Sequence, residues 1–136
     1  MQTTTKWVDG MTFDATADTG QTVRIDTSIE GGGTGSGMNP KKMLLASLNG
    51  CSGMDVVDIL KKMKVEFKHF EIIAEAEQTD DIPKVFKFIN MTYRIDAKPE
   101  DLDKVTRAVT LSQDKYCGIS AMLAKHCTIN HSIELI

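Results

Sequence analysis

The chain has 136 residues and a mass of 15.0 kDa, enough for one domain that removes roughly 65–70% of its unfolded surface from water on folding. Hydrophobic residues make up 41% and charged residues 26%, which excludes wholesale disorder, a disulfide-dense scaffold and a collagen-like repeat. A net charge of -3 provides no basic field for a phosphate backbone, so nucleic acid is not an expected partner.

The opening MQTTTKWVDG has neither an apolar run nor a small-residue cleavage site. No later stretch approaches the roughly 18 uninterrupted apolar residues that span a bilayer. The expectation is a cytoplasmic protein with no membrane partner. Cys51, Cys117 and Cys127 are too few and too scattered for a stapled secreted domain, and an odd count leaves a thiol unpaired within the chain.

In chain order, residues 4–29 alternate short Thr/Val/Ile/Phe runs with turn signals at Asp9-Gly10 and Thr19-Gly20, predicting a three-stranded meander. The glycine-rich stretch 31–37 then leads to Asn39-Pro40, a capping side chain before a proline at the first helical position. We expect this stretch to be a flexible lead-in, with anion or substrate contact as the alternative, because free N–H groups and a helix dipole meet there. It lacks the Gly-Lys-Ser/Thr ending of a nucleotide loop.

From Lys41 to Lys64 apolar residues recur at intervals of three and four and cover most of the circumference, the pattern of a buried helix. Gly50 and Gly53 within it suggest a kink or the close approach of another backbone. Residues 69–78 and 84–95 read as a hairpin of long strands, with Asn90 and Tyr93 interrupting the alternation in the second. Pro99-Glu100-Asp101 begins a second helix. A short third helix covers 118–125, and a strand closes the chain from Thr128. The order βββ-α-ββ-αα-β implies one α+β domain over residues 1–136.

Among candidate sites, no metal constellation emerges. The cysteines stand 66 and 10 residues apart, and His69, His126 and His131 form no i, i+4 ligand pair, so neither metal nor other cofactor is expected. Cys51 sits mid-helix with Asp55 and Asp58 one and two turns on, carboxylates that raise a thiol pKa. Cys117 would open a short helix, with Lys115 two residues earlier, and on local grounds is expected to be the more acidic thiol. Sequence leaves open whether the two meet.

The segment Gly37-Met38-Asn39-Pro40-Lys41-Lys42-Met43-Leu44-Leu45-Ala46-Ser47-Leu48-Asn49-Gly50-Cys51, with Tyr116-Cys117-Gly118-Ile119-Ser120, resembles the osmotically inducible protein C and organic hydroperoxide resistance (OsmC/Ohr) family. The resemblance covers essentially the whole chain. It implies an OsmC-like α+β fold, interlocked as a homodimer around central buried helices, with active sites at the subunit interface. It implies further that Cys51 is a peroxidatic nucleophile, oxidised to a sulfenic acid by an organic hydroperoxide or hydrogen peroxide, and that Cys117 resolves it as a Cys51–Cys117 disulfide. An external dithiol would then restore the thiols.

Two positions depart from the family pattern. Lys41 follows the Asn-Pro pair where peroxidase branches usually carry glutamate, and Asp9-Gly10-Met11 lacks the arginine of the hydroperoxide-resistance branch. Arg24, the sole arginine before the central helix, is the candidate for the catalytic guanidinium, Lys41 a candidate substrate-binding cation, and Glu30 a candidate replacement carboxylate. The leading expectation is a thiol-dependent peroxidase in oxidative-stress defence. The alternatives are a non-catalytic binding protein or redox sensor with an apolar pocket for a hydrophobic ligand, and a structural dimer.

Overall fold

Threonine- and valine-rich runs broken at Gly10 and Gly20 form β1 (Thr3–Asp9), β2 (Thr12–Ala17) and β3 (Thr22–Ile25), an antiparallel sheet in the order β1-β2-β3. Both turn glycines have positive φ, 52° and 97°, where a side chain would be strained. The computed structural model describes all residues Met1–Ile136, and the chain forms two compact units, Met1–Leu44 and Leu45–Ile136.

In the first unit the glycine-rich stretch is not a loose lead-in. It wraps around the buried Asp26. Asp26 Oδ2 accepts from the Thr34 N–H and Oγ1 (3.1 and 2.7 Å) and from the Ser36 N–H and Oγ (3.0 and 2.8 Å), while Oδ1 accepts from the Thr27 N–H at 2.7 Å. A Cβ on Gly33 would lie 2.3 Å from the Thr27 carbonyl oxygen and 2.5 Å from Asp26 Oδ1, so only glycine lets the backbone close. The alternative of an anion cradle is thus realised internally: these donors hold the chain's own carboxylate.

The helix α1 (Pro40–Lys62) begins where Asn39 Oδ1 accepts from the Lys41 N–H at 3.0 Å. It ends with Lys64 at φ 58° and the Val65 N–H donating to the Leu60 carbonyl at 3.0 Å, a left-handed cap. Leu48, Ser52, Val56 and Leu60, four residues apart, form its buried stripe. By length and composition α1 could cross a membrane, which counting uninterrupted apolar residues did not show. In the second unit, Leu48, Val56 and Leu60 belong to its core.

That core rests on a sheet in the order β4-β5-β6: β4 (Phe70–Gln78), β5 (Phe86–Ile95) and β6 (Thr128–Leu135). The central strand β5 is antiparallel to β4 and parallel to β6. Ile89, Met91, Tyr93 and Ile95 point into the core against Leu48, Val56 and Leu60 and against Val105, Ala108 and Val109 of α2 (Leu102–Leu111), each fully buried large side chain contributing about 1.5–3 kcal/mol. Tyr93 therefore continues the buried alternation. The break lies earlier, where the pairing shifts between Glu77/Phe88 and Gln78/Phe86. An extra residue there changes which face follows.

A Cβ on Gly53 would meet only Ile72 Cδ1 at 3.3 Å and Phe70 Cε1 at 3.9 Å, and one on Gly50 would meet nothing, so neither glycine marks a close backbone crossing within the chain. A π turn (Ser112–Tyr116) separates α2 from α3 (Gly118–Leu123). The observed order βββ-α-ββ-αα-β is the α+β succession expected from the sequence.

The hydrogen bonds hold the Asp26 carboxyl well below the usual carboxylate range. Its contribution to stability is therefore complete above the unfolded value of about 3.9 and declines as pH falls toward the depressed folded value. Urea unfolding of Asp26→Asn is expected to show a deficit against the parent that is largest at neutral pH and narrows below about pH 4. A deficit that does not change with pH would contradict this.

Candidate functional site

Helix spacing puts Cys51 and Asp55 one turn apart on α1. Cys117 stands at the N-cap of α3, directly after the π turn. Folding closes the 66-residue interval: Cys51 Sγ, Cys117 Sγ and an Asp55 carboxylate oxygen lie within 4.8 Å of one another. The thiols are free; Cys51 is half-buried and Cys117 only 1% exposed. Spacing alone pointed to no metal constellation, yet the fold gathers three ligand-type atoms, because two come from one helix turn and the third from a distant loop. Cys127 is buried in the core.

The helix start does not make Cys117 an acidic thiol, because desolvation outweighs it. Its Sγ does accept from the Ser120 N–H at 3.3 Å, the helix-start donor foreseen from the sequence. Burial, followed by the hydrogen bond shared with Cys51, nevertheless pushes the Cys117 thiol up to about 11, so it is protonated at neutral pH. Lys115 does not offset this; it lies over the Tyr116 ring at 5.4 Å.

Beside the three groups a cleft of about 420 Å³ opens between α1 and the π turn. Asp55, Asp58, Ile59, Lys62, Met63, Leu111 and Tyr116 line it.

Comparison with known proteins identifies the family and the fold. The family described as OsmC-like protein matches residues 33–132. Protein YhfA of Escherichia coli K12 is 33% identical over 136 residues, covering all of this chain and 98% of its own length. The chain belongs to the OsmC-like family. Among solved structures, the OsmC-like protein from Mycoplasma pneumoniae superimposes with a TM-score of 0.84 at 14% identity, over 99% of this chain and 96% of the other. A Legionella pneumophila protein described as an organic hydroperoxide resistance protein OsmC gives 0.72 at 16% identity, over 99% and 98%.

In this OsmC-like chain the two cationic candidates belong to the first unit. Arg24 on β3 donates from Nε to Asp14 Oδ1 and from an Nη to Asp14 Oδ2, both at 2.8 Å, a bidentate pair that also lowers the Asp14 pKa. Lys41 lies half-buried in the first turn of α1. Glu30 lies in a short helical turn opened by Ser28; hydrogen bonding to its own backbone N–H, and then to Ser28, lowers its pKa.

A buried polar network under the cysteines escaped the sequence reading. Ser52 Oγ meets Tyr93 Oη at 2.6 Å and Ser112 Oγ at 2.9 Å, and Ser112 Oγ donates to Asp55 at 3.1 Å. Gln113 Nε2 donates to Tyr93 Oη (2.6 Å) and Ser52 Oγ (3.2 Å), and its Oε1 accepts from Ser120 Oγ at 2.7 Å. Protons can run Tyr93 to Ser52 to Ser112 to the carboxylate, satisfying each member. Burial raises the Tyr93 phenol above its ordinary value, which keeps it a neutral donor. The available signal was a serine in the apolar stripe of α1, recognisable only once its partners are known.

Tyr93→Phe removes one centre of this network and leaves Ser52 and Gln113 short of a partner. Denaturant unfolding is expected to show a loss of about 1–3 kcal/mol. A loss below a few tenths would mean that the network contributes little to stability.

Proposed function

We propose that this OsmC-like protein is a thiol peroxidase that reduces organic hydroperoxides, with Cys51 as the nucleophile and Cys117 as the resolving thiol. The observation that carries the reading is the meeting of two free thiols, 66 residues apart in sequence, within 4.8 Å. Exposure supports this division of roles: Cys51 is half-buried and open to a peroxide, whereas Cys117 is 1% exposed. The cleft lined by Ile59, Met63, Leu111 and Tyr116 beside Asp55 suits a peroxide with an apolar body. The hydroperoxide-resistance description of the Legionella relative points the same way.

In the first step Cys51 sulfur attacks the terminal peroxide oxygen. The O–O bond breaks, the other oxygen leaves as alcohol, and the thiol becomes a sulfenic acid. Cys117 sulfur then attacks Cys51 sulfur, forming the disulfide and expelling water. An external dithiol donates two electrons and two protons to regenerate both thiols and leaves as its own disulfide. Arg24, the sole arginine before α1, is the candidate catalytic guanidinium, and Lys41, standing where the family usually has glutamate, the candidate substrate-binding cation. Replacing Arg24 by Lys, which loses the planar fork, is expected to lower kcat/KM by about tenfold or more.

Mixing reduced protein with one equivalent of cumene hydroperoxide is expected to remove two thiols per chain, and Cys51→Ser to abolish the loss. In Cys117→Ser the first oxidation should survive, with Cys51 accumulating as sulfenic acid after one equivalent and as sulfinic acid once a second equivalent of hydroperoxide is added. Unchanged thiols in the parent after an hour would overturn the peroxidase reading.

The homodimer belongs to the same reading. Helix α1 is apolar around most of its circumference, yet in the single chain only Leu48, Ser52, Val56 and Leu60 are buried, and Met54 remains 75% exposed. A helix apolar all round is normally enclosed, and a second copy would enclose it. Light scattering is expected to give twice the chain mass, and Met54→Glu to shift the protein toward monomer. A monomeric parent at micromolar concentration would refute the assembly.

A further inference from the structure

Beyond peroxide chemistry, the geometry points to a site for one thiophilic divalent cation, of which zinc is the common example, formed by Cys51 Sγ, Cys117 Sγ and the Asp55 carboxylate. This site does not depend on the peroxidase reading. Tetrahedral zinc, with bonds of about 2.3 Å to sulfur and 2.0–2.2 Å to oxygen, holds its ligand atoms roughly 3.4–3.8 Å apart. All three donors already lie within 4.8 Å of one another, so small side-chain rotations gather them. Water would complete the tetrahedron from the side of the half-exposed Cys51 and Asp55, leaving an open coordination position.

Two further observations favour a cation. The Asp55 carboxylate accepts a hydrogen bond from the neutral Ser112 Oγ at 3.1 Å. Two sulfurs and a carboxylate thus converge beside a donor that carries no charge. The outer contacts are also those that orient ligands in metal sites. Ser112 donates to Asp55, and the Ser120 N–H donates to Cys117 Sγ at 3.3 Å. Both donors are held by the network through Ser52 and Gln113. A mixed sulfur and oxygen set of this kind selects zinc-group ions over magnesium or calcium.

Binding replaces two thiol protons by metal–sulfur bonds and releases them to solvent. It also occupies both sulfur atoms that disulfide formation would use, so metal loading and oxidation exclude one another.

Titration of reduced full-length protein with Cd²⁺, used as the ultraviolet-active substitute for Zn²⁺, provides the test. The expected result is a sulfur-to-cadmium charge-transfer band saturating at one metal per chain, release of about two protons per metal, and protection of Cys51 from iodoacetamide. Cys51→Ser and Cys117→Ser should each weaken binding by at least about tenfold and reduce the band. Asp55→Asn should keep the band and weaken binding by about tenfold, equivalent to about 1.4 kcal/mol. Absence of the one-to-one band in the parent overturns the site, as does undiminished affinity in Asp55→Asn or in either serine variant, where Cys127 would be the source. Should a variant fail to fold, proton release and alkylation protection in the parent decide alone. Peroxide reactivity is measured on metal-free protein, so either result can fail without the other.

Discussion

A hydroxyl in a dry place organises the second unit. Ser52 is fully buried in the apolar stripe of α1, and an unpaired buried hydroxyl costs about 1–3 kcal/mol. Its partners come from the central strand (Tyr93) and from the π turn (Ser112 and Gln113). Satisfying that one group ties helix, sheet and turn together. Cys51 is the residue before Ser52, and the Cys117 N–H donates to the Ser112 carbonyl at 2.8 Å. The meeting of the two sulfurs is thus a consequence of how a buried polar network is closed. The π turn supplies the wider spacing that lets Ser112 and Gln113 face inward ahead of Cys117.

At Cys117 two physical effects oppose each other. A helix-start N–H favours negative charge on sulfur, while burial opposes it. Burial prevails over the backbone N–H groups of Ser120 and Ile119, the former at 3.3 Å, and the hydrogen bond shared with the Cys51 thiol also raises the value. The same enclosure that keeps Cys117 protonated leaves it 1% exposed beside the half-buried Cys51. Packing therefore divides solvent access unequally between two thiols that stand side by side.

The glycine-rich loop shows how one local pattern serves different ends. Glycines and free N–H groups before a helix can receive an external anion, but here Asp26 supplies the anion from within. Gly33 is required for contact with the chain itself, as the 2.3 Å approach of a Cβ to the Thr27 carbonyl shows. The stretch closes on Asp26 within the first unit and ends at Asn39, which caps the start of α1.

Much of the secondary structure was legible because its causes are short-range. The Asn39-Pro40 start, the helical periodicity of α1, the two turns of the meander and the closing strand each depend on neighbours a few residues away. The family resemblance, resting on the Asn-Pro start and the two cysteines, was likewise readable. The bulge between the Glu77/Phe88 and Gln78/Phe86 pairs, the embrace of Asp26, the Ser52–Tyr93–Gln113 network and the elevated pKa of Cys117 were not. Each depends on which surfaces meet after the chain has closed loops of many residues. Sequence specified two thiols and a carboxylate; folding decided that they lie within 4.8 Å of one another, because desolvation and distance are properties of packing and not of order along the chain.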